Sequence, residues 1–195
     1  MNAVDQTTNL EEILSQLRPG DRAFVSSLIE RDPLTGAYNR RKFDKDLELI
    51  LAMSERTKKG ASLLMIDIDH FKKYNDQHGH QKGDQVLREV TRCIERSLRD
   101  YDKTHIYRYG GEEFVVIIPD TSNKHAFNIG DRIRKNVKTK SSVSVSVGIS
   151  HYKENSDNLE SLIDNADKAL YEAKRTGRDR VALYEEASRL TGRST

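Results

Sequence analysis

Four carboxylates fall at positions where a buried strand would end. Glu112 and Glu113 follow a Gly-Gly pair, Gly110-Gly111, between two apolar or aromatic runs, 106–109 and 114–118. Asp67 and Asp69 close a second apolar run, Ser62-Leu63-Leu64-Met65-Ile66. Burying an unpaired carboxylate is costly, so acids held at such ends call for a cation or for a proton in transit. Mg²⁺ is one candidate, since it takes oxygen ligands, usually one or two carboxylates together with phosphate oxygens. If Asp67 faces Glu112 and Glu113 across neighbouring strands, the three acids make a two-metal phosphoryl-transfer site. On the Gly-Gly segment alone, Glu112 and Glu113 read equally well as surface residues beside a turn.

The elements that must position these acids are legible from pattern. Gly tolerates positive φ, so Gly110-Gly111 between strand-like runs predicts a two-residue hairpin turn. Strand side chains alternate faces, so Asp67 and Asp69 point the same way if the strand runs that far. Before them, Leu10, Ile13, Leu14 and Leu17 recur at helical spacing, Pro19-Gly20 breaks the pattern, and Phe24, Val25, Leu28 and Ile29 resume it. Asp32-Pro33-Leu34-Thr35-Gly36 is turn chemistry. Asn39 is placed to cap a helix whose apolar face is Phe43, Leu47, Ile50 and Leu51, and Lys58-Lys59-Gly60 ends it. After the strand at 62–67, Phe71 to Asn75 predicts a short helical turn whose first amides suit phosphate. Asp84 reads as the cap of a helix carrying Val86, Leu87, Val90, Cys93, Ile94 and Leu98. A helix near 123–137 follows the hairpin. Val143, Val145 and Val147 alternate with serines as a half-buried strand, and Asp157 with Glu160 looks like a capping box. Gly177 ends that last helix, and 181–184 is a final strand. The order strand, helix, hairpin, helix, strand, helix is an α+β arrangement, a split sheet faced by helices.

Composition narrows the function classes. The 195 residues suffice for one domain with a proper core plus extra segments. Lys and Arg total 33 against 31 Asp and Glu, a net charge of +2 that makes no case for a nucleic-acid or membrane surface. The single cysteine, Cys93, falls at an apolar helical position and reads as a buried thiol. The six histidines show no zinc-ligand spacing. No run is long enough to span a bilayer and no signal-peptide pattern opens the chain, which predicts a cytoplasmic protein.

With these residues in view, the chain resembles the GGDEF family, the diguanylate cyclases. Gly110-Gly111-Glu112-Glu113-Phe114 is similar to the signature in its GGEEF form. Asp32 to Arg41 resembles the opening D-x-L-T-G-x-x-N-R-R, and Asp67 to Asp76 resembles D-I-D-x-F-K-x-x-N-D. Gly79-His80 and Gly83-Asp84 follow at the family's spacing, and Tyr171-Glu172-Ala173-Lys174 with Gly177-Arg178 resembles the closing Y-x-A-K-x-x-G-R. Several ordered motifs are far more specific than one. The resemblance implies a domain over 31–185, an N-terminal helical lead-in or linker over 1–30 and a polar tail over 186–195. It also implies the palm-like nucleotidyl-cyclase fold, with a central, mostly antiparallel sheet faced by helices.

The activity implied is condensation of two GTP into cyclic di-GMP and two pyrophosphates by a homodimer of facing domains, under an upstream sensor or receiver domain. The cofactor implied is Mg²⁺ or Mn²⁺, two per active site. Carried over by motif, Asp67, Glu112, Glu113 and the Ile68 carbonyl would hold the metals, and Asp67, Glu112 and Glu113 would be catalytic. Gly110 and Gly111 would admit the nucleotide. Phe71, Lys72, Lys174 and Arg178 would bind phosphates, and Asn75 and Asp84 would read guanine. Many members carry an inhibitory R-x-x-D five residues before the signature, where this chain has Tyr101 and Thr104. Arg99 and Asp102 give R-x-x-D two residues earlier, and Arg132 would match the site's second arginine. Asp179 stands where the family usually has Asn. The alternatives are a catalytically weak module that binds cyclic di-GMP or GTP and, less favoured by Asp84, a cyclase making another dinucleotide. A polymerase palm would need a longer and more basic chain.

Overall fold

The computed structural model describes residues 12–98, 106–152 and 159–185. Along the chain come α1 (Pro19–Glu30), β1 (Tyr38–Asn39), α2 (Arg40–Thr57), β2 (Ala61–Ile68), α3 (Phe71–His78) and α4 (His80–Ser97). Then follow β3 (Ile106–Gly110), β4 (Glu113–Pro119), α5 (Asn123–Lys140), β5 (Val145–Tyr152), α6 (Leu159–Arg175) and β6 (Val181–Leu183). The strands form one six-stranded sheet in the order β1-β3-β4-β2-β5-β6. The three central pairings are antiparallel, and the outer two, β1 with β3 and β5 with β6, are parallel.

Every residue of β2 is buried, because helices cover both faces of the sheet. Leu64, Ile66 and Ile68 look into a core with α4 and α5, including Val90, Ile94, Ile129 and Ile133. Ala61, Leu63 and Met65 look the other way, into a core with α2 and α6 that includes Phe43, Leu47, Leu162 and Leu170. Asp67 continues this second row, so its side chain emerges on the α6 side where the apolar packing ends.

Gly148 on β5 lets α6 approach closely. A Cβ there would lie 2.2 Å from the Leu170 nitrogen and 2.3 Å from the Ala166 carbonyl. No side chain fits between the strand and that helix backbone. The close contact brings the last turn of α6 down onto the end of β2.

Several expectations change. Pro19 opens α1 in its first turn, where its missing N–H costs nothing, and the break lies at 16–18. α1 has no buried residue, and Phe24 and Leu28 are exposed. The strand predicted as half-buried is central, with seven of its eight residues buried and Val143 outside it. Its serines are tolerated inside because they are bonded: Ser146 donates to Asp69 at 2.7 Å, and Ser150 donates to the Leu162 carbonyl at 2.6 Å. Asp84 does not cap α4. The helix starts at His80 after Gly79, and Asp84 sits in its second turn. Asn39 does cap α2, accepting from the Lys42 amide at 3.1 Å. Asp157, of the expected capping box, lies outside the described residues.

Candidate active site

The hairpin is one residue out of the expected frame. Gly110 is the last residue of β3, the turn is Gly111-Glu112, and Glu113 begins β4. The register slips between Arg108 and Gly110, so Tyr109 is an extra residue on the β3 side. In the unbroken ladder between β4 and β2, Glu113 stands directly opposite Asp67. Glu112 is in the turn itself, with its carbonyl accepting from the Ile68 amide at 3.4 Å. Three of the predicted acids therefore meet at one end of the sheet.

One cation stands among them. Lys174, in the last turn of α6, places Nζ 2.8 Å from Asp67 Oδ2. Asp67 is buried, and burial pushes its carboxyl above the ordinary aspartate range. Lys174 opposes that shift, while Glu112 and Asp69 add to it. Burial also pushes Glu113 up, with further repulsion from Asp67, Glu112 and Asp167 against the pull of Lys174. The site is thus short of positive charge. Among the described residues no ready-formed group of three His, Cys, Asp or Glu surrounds a point where an ion would sit. Yet oxygen donors crowded together against their own repulsion suit a hard divalent cation.

β2 ends at Ile68, so the strand does not run as far as Asp69, which lies in the turn beyond it and is held by its own bonds. It accepts from Ser144 and Ser146 at 2.7 Å each and from the Asp179 amide at 3.0 Å. It ties the start of β5 to the turn after α6. That turn has positive φ at Gly177, Arg178 and Asp179. Asp179 accepts from Arg134 at 2.9 Å and from Lys138, both on α5. Arg178, predicted to bind phosphate, is thus presented by a backbone anchored on two sides. The alternating serines before and within β5 were the sequence signal for this anchor, since buried serines need a partner.

Arg108 was also missed, although it stands two residues before Gly110. It donates to both oxygens of Asp32 and, through Nε and NH2, to the Gly111 carbonyl at 3.0 and 2.8 Å.

The remaining predicted residues fall in two groups. Phe71 is buried and Lys72 exposed at the start of α3, which no side chain caps. Its first-turn amides are therefore open to an anion. Asn75 on α3 and Asp84 on α4 are both half-buried, on two helices packed against each other. Of the predicted inhibitory site, Arg132 lies among the described residues. Arg99 and Asp102 lie outside them, and Arg132 is engaged with the Ser97 carbonyl at the end of α4.

The family model described as "Diguanylate cyclase, GGDEF domain" matches residues 29–180. The chain belongs to the GGDEF family. Diguanylate cyclase A of Treponema denticola is 44% identical over 138 residues, 67% of this chain and 37% of that protein. Diguanylate cyclase VdcA of Vibrio cholerae is 39% identical over 161 residues, 77% of this chain and 45% of that protein. The GGDEF domain of DgcB from Caulobacter crescentus, solved with c-di-GMP, superposes with a TM-score of 0.76 at 35% identity, over 81% of this chain and 94% of that one. The α+β sheet described above is the palm-like fold of GGDEF domains. The chain spans less than half the length of these curated relatives. No helix among the described residues is long and apolar enough to cross a membrane.

Proposed function

We propose that this GGDEF domain is an active, metal-dependent diguanylate cyclase that joins two GTP into cyclic di-GMP. The observation that carries this reading is the register pair Asp67 and Glu113, with Glu112 beside them and Lys174 as the lysine set against the three acids. Asp67, Glu112, Glu113 and the Ile68 carbonyl are the groups that would hold Mg²⁺ or Mn²⁺. Bound there, the ions supply charge neutralisation at the reacting phosphate.

The chain's own residues have separable tasks. Lys174, Arg178, Lys72 and the amides of Phe71 and Lys72 hold the triphosphate of one GTP. Gly110 and Gly111 admit it close to the backbone. Asn75 and Asp84 bind guanine by complementary edges: the carboxylate accepts from the N1–H and N2–H₂ donors, and the amide serves the acceptor side. Two copies face each other, each presenting a 3′-hydroxyl to the other's α-phosphorus. The 3′-oxygen bonds to that phosphorus, the bond to pyrophosphate breaks, and the hydroxyl proton passes to Glu112. The domain acts inside the cell, beneath an input domain of the longer protein.

The test is product analysis after incubation with GTP and Mg²⁺ across a range of protein concentrations, for the wild type, Asp67→Asn and Glu112→Gln. The expected result is cyclic di-GMP from the wild type alone, rising more steeply than linearly with concentration. Nucleotide binding without any cyclic product would assign a binding module instead. Full activity in either variant would remove the acids from the chemistry.

A further inference from the structure

Gly83 and Asn75 touch where α3 and α4 pack. A Cβ on Gly83 would lie 1.9 Å from Asn75 Oδ1, 2.9 Å from its Cγ and 3.2 Å from Phe71 Cζ. Gly83 is buried in α4, and its own N–H is spent on the Gly79 carbonyl. Asn75 Oδ1 is buried against it with no hydrogen-bond partner. A buried amide oxygen left unpaired is an unfavourable arrangement, and native proteins keep few of them. Its persistence here calls for a reason. Asn75 also sits inside a helix, where its side chain favours bonding to local backbone, and here its oxygen bonds nothing. The next residue, Asp84, is a half-buried carboxylate that caps nothing.

We propose that Gly83 is a specificity-determining residue of the nucleotide site, the seat that orients the Asn75 amide. With the oxygen end lodged against Gly83, the nitrogen end is the one a base meets. Beside it, the Asp84 carboxylate can only accept. The site then offers one donor and one acceptor, fixed in place before the ligand arrives. Guanine, with acceptors on one side and the N1–H and N2–H₂ donors on the other, satisfies both. Adenine lacks the donor pair and leaves Asp84 unmatched. Any side chain at position 83 would lift the amide out of its seat and free it to turn. This rests on the reading of Asn75 and Asp84 as guanine contacts. The competing account is that Gly83 only spaces two helices.

Three variants separate the two: Gly83→Ala, Asn75→Ala, and both together. Each is followed by thermal unfolding and by calorimetric titration with GTP and with ATP. The seat predicts that Gly83→Ala lowers Tm in the wild-type background and much less in the Asn75→Ala background, because the atoms it collides with are then gone. It also predicts that Gly83→Ala weakens GTP binding by about tenfold or more while ATP binding stays as it was. In the Asn75→Ala background, adding Gly83→Ala changes GTP affinity no further. An equal loss of Tm in both backgrounds overturns the seat, as does a folded Gly83→Ala protein with the full preference for GTP. If Gly83→Ala alone does not fold, recovery of folding in the double variant supports the seat, and failure there overturns it. A wild type that binds GTP and ATP alike overturns the guanine reading and the specificity role with it. That failure is distinguishable, because the coupling in Tm depends on no nucleotide.

Discussion

Arg108 joins Asp32 to the hairpin between β3 and β4. Its NH1 lies 3.0 and 3.1 Å from the two Asp32 oxygens, and its Nε and NH2 donate to the Gly111 carbonyl. Asp32 also accepts from the Thr35 amide and hydroxyl at 2.9 and 2.6 Å. The chain entering from α1 is held close by: Asn39 donates to the Ile29 carbonyl at 2.7 Å, and Lys42 lies 3.7 Å from Glu30. The turn that carries Glu112 is therefore braced directly by the segment between α1 and β1.

Arg108→Ala removes both contacts and is expected to cost about 1–3 kcal/mol of stability, as breaking a partly buried, charge-assisted pair does. Turnover should fall more than GTP binding, since the hairpin tip loosens. Arg108→Lys should not restore it, because one ammonium cannot reproduce the fork that reaches both partners. Denaturant unfolding and steady-state kinetics check this, and an Arg108→Lys protein with wild-type turnover would count against the brace.

Glu113→Gln should make the protein more stable at neutral pH. Burial and the neighbouring acids raise the Glu113 carboxyl in the folded state, so folding favours its neutral form. The sign follows from linkage. Below the ordinary glutamate value the residue is protonated folded or unfolded and carries no penalty. As pH rises through the raised value, the folded state must ionise it against repulsion and loses stability. The Tm of Glu113→Gln should exceed that of the wild type at pH 7 and converge with it in acid. Equal melting curves at both pH values would contradict the crowding.

Lys174→Met leaves Asp67 without its cation at 2.8 Å. The apparent KM for GTP should rise about tenfold to a hundredfold, the worth of one charge-assisted phosphate contact. Added Mg²⁺ should raise Tm in this variant, with the ion replacing the lost charge by binding only the folded state. Titration with Mg²⁺ in the absence of nucleotide reads this, and no rise at any concentration would speak against a cation between Asp67 and Glu113.

Asp179 separates charge from shape. Asn accepts a positive φ almost as readily, so Asp179→Asn keeps the turn and loses the pairing with Arg134 and Lys138. Asp179→Ala loses both and should cost about 1–2 kcal/mol more, the strain of a left-handed backbone without the local bonding of Asn or Asp. KM for GTP should rise in the same order, because Arg178 rides on that turn. Thermal melts and kinetics of the two variants check it, and indistinguishable variants would remove Asp179 from the anchor.

The sequence by itself determined the order of the elements other than β1, the apolar faces of the helices from α2 onward and the acids at the ends of β2 and the hairpin. Those properties are local: period, turn residues and motif spacing need no knowledge of neighbours. That Asp67 meets the two hairpin acids was within reach for the same reason, once two antiparallel strands were paired. Which of them stands directly opposite was not, because ladder register is settled between strands. Asp84 looked like a cap because helix starts are read from residue type, whereas packing of α3 on α4 begins the second helix earlier. The placement of Lys174 depends on Gly148, a gap in one strand filled by the backbone of a distant helix. The Arg108 brace and the Asp69 anchor join residues about 75 positions or more apart. Only the closed tertiary structure brings such groups within hydrogen-bond reach, so it alone decided how the acids are held.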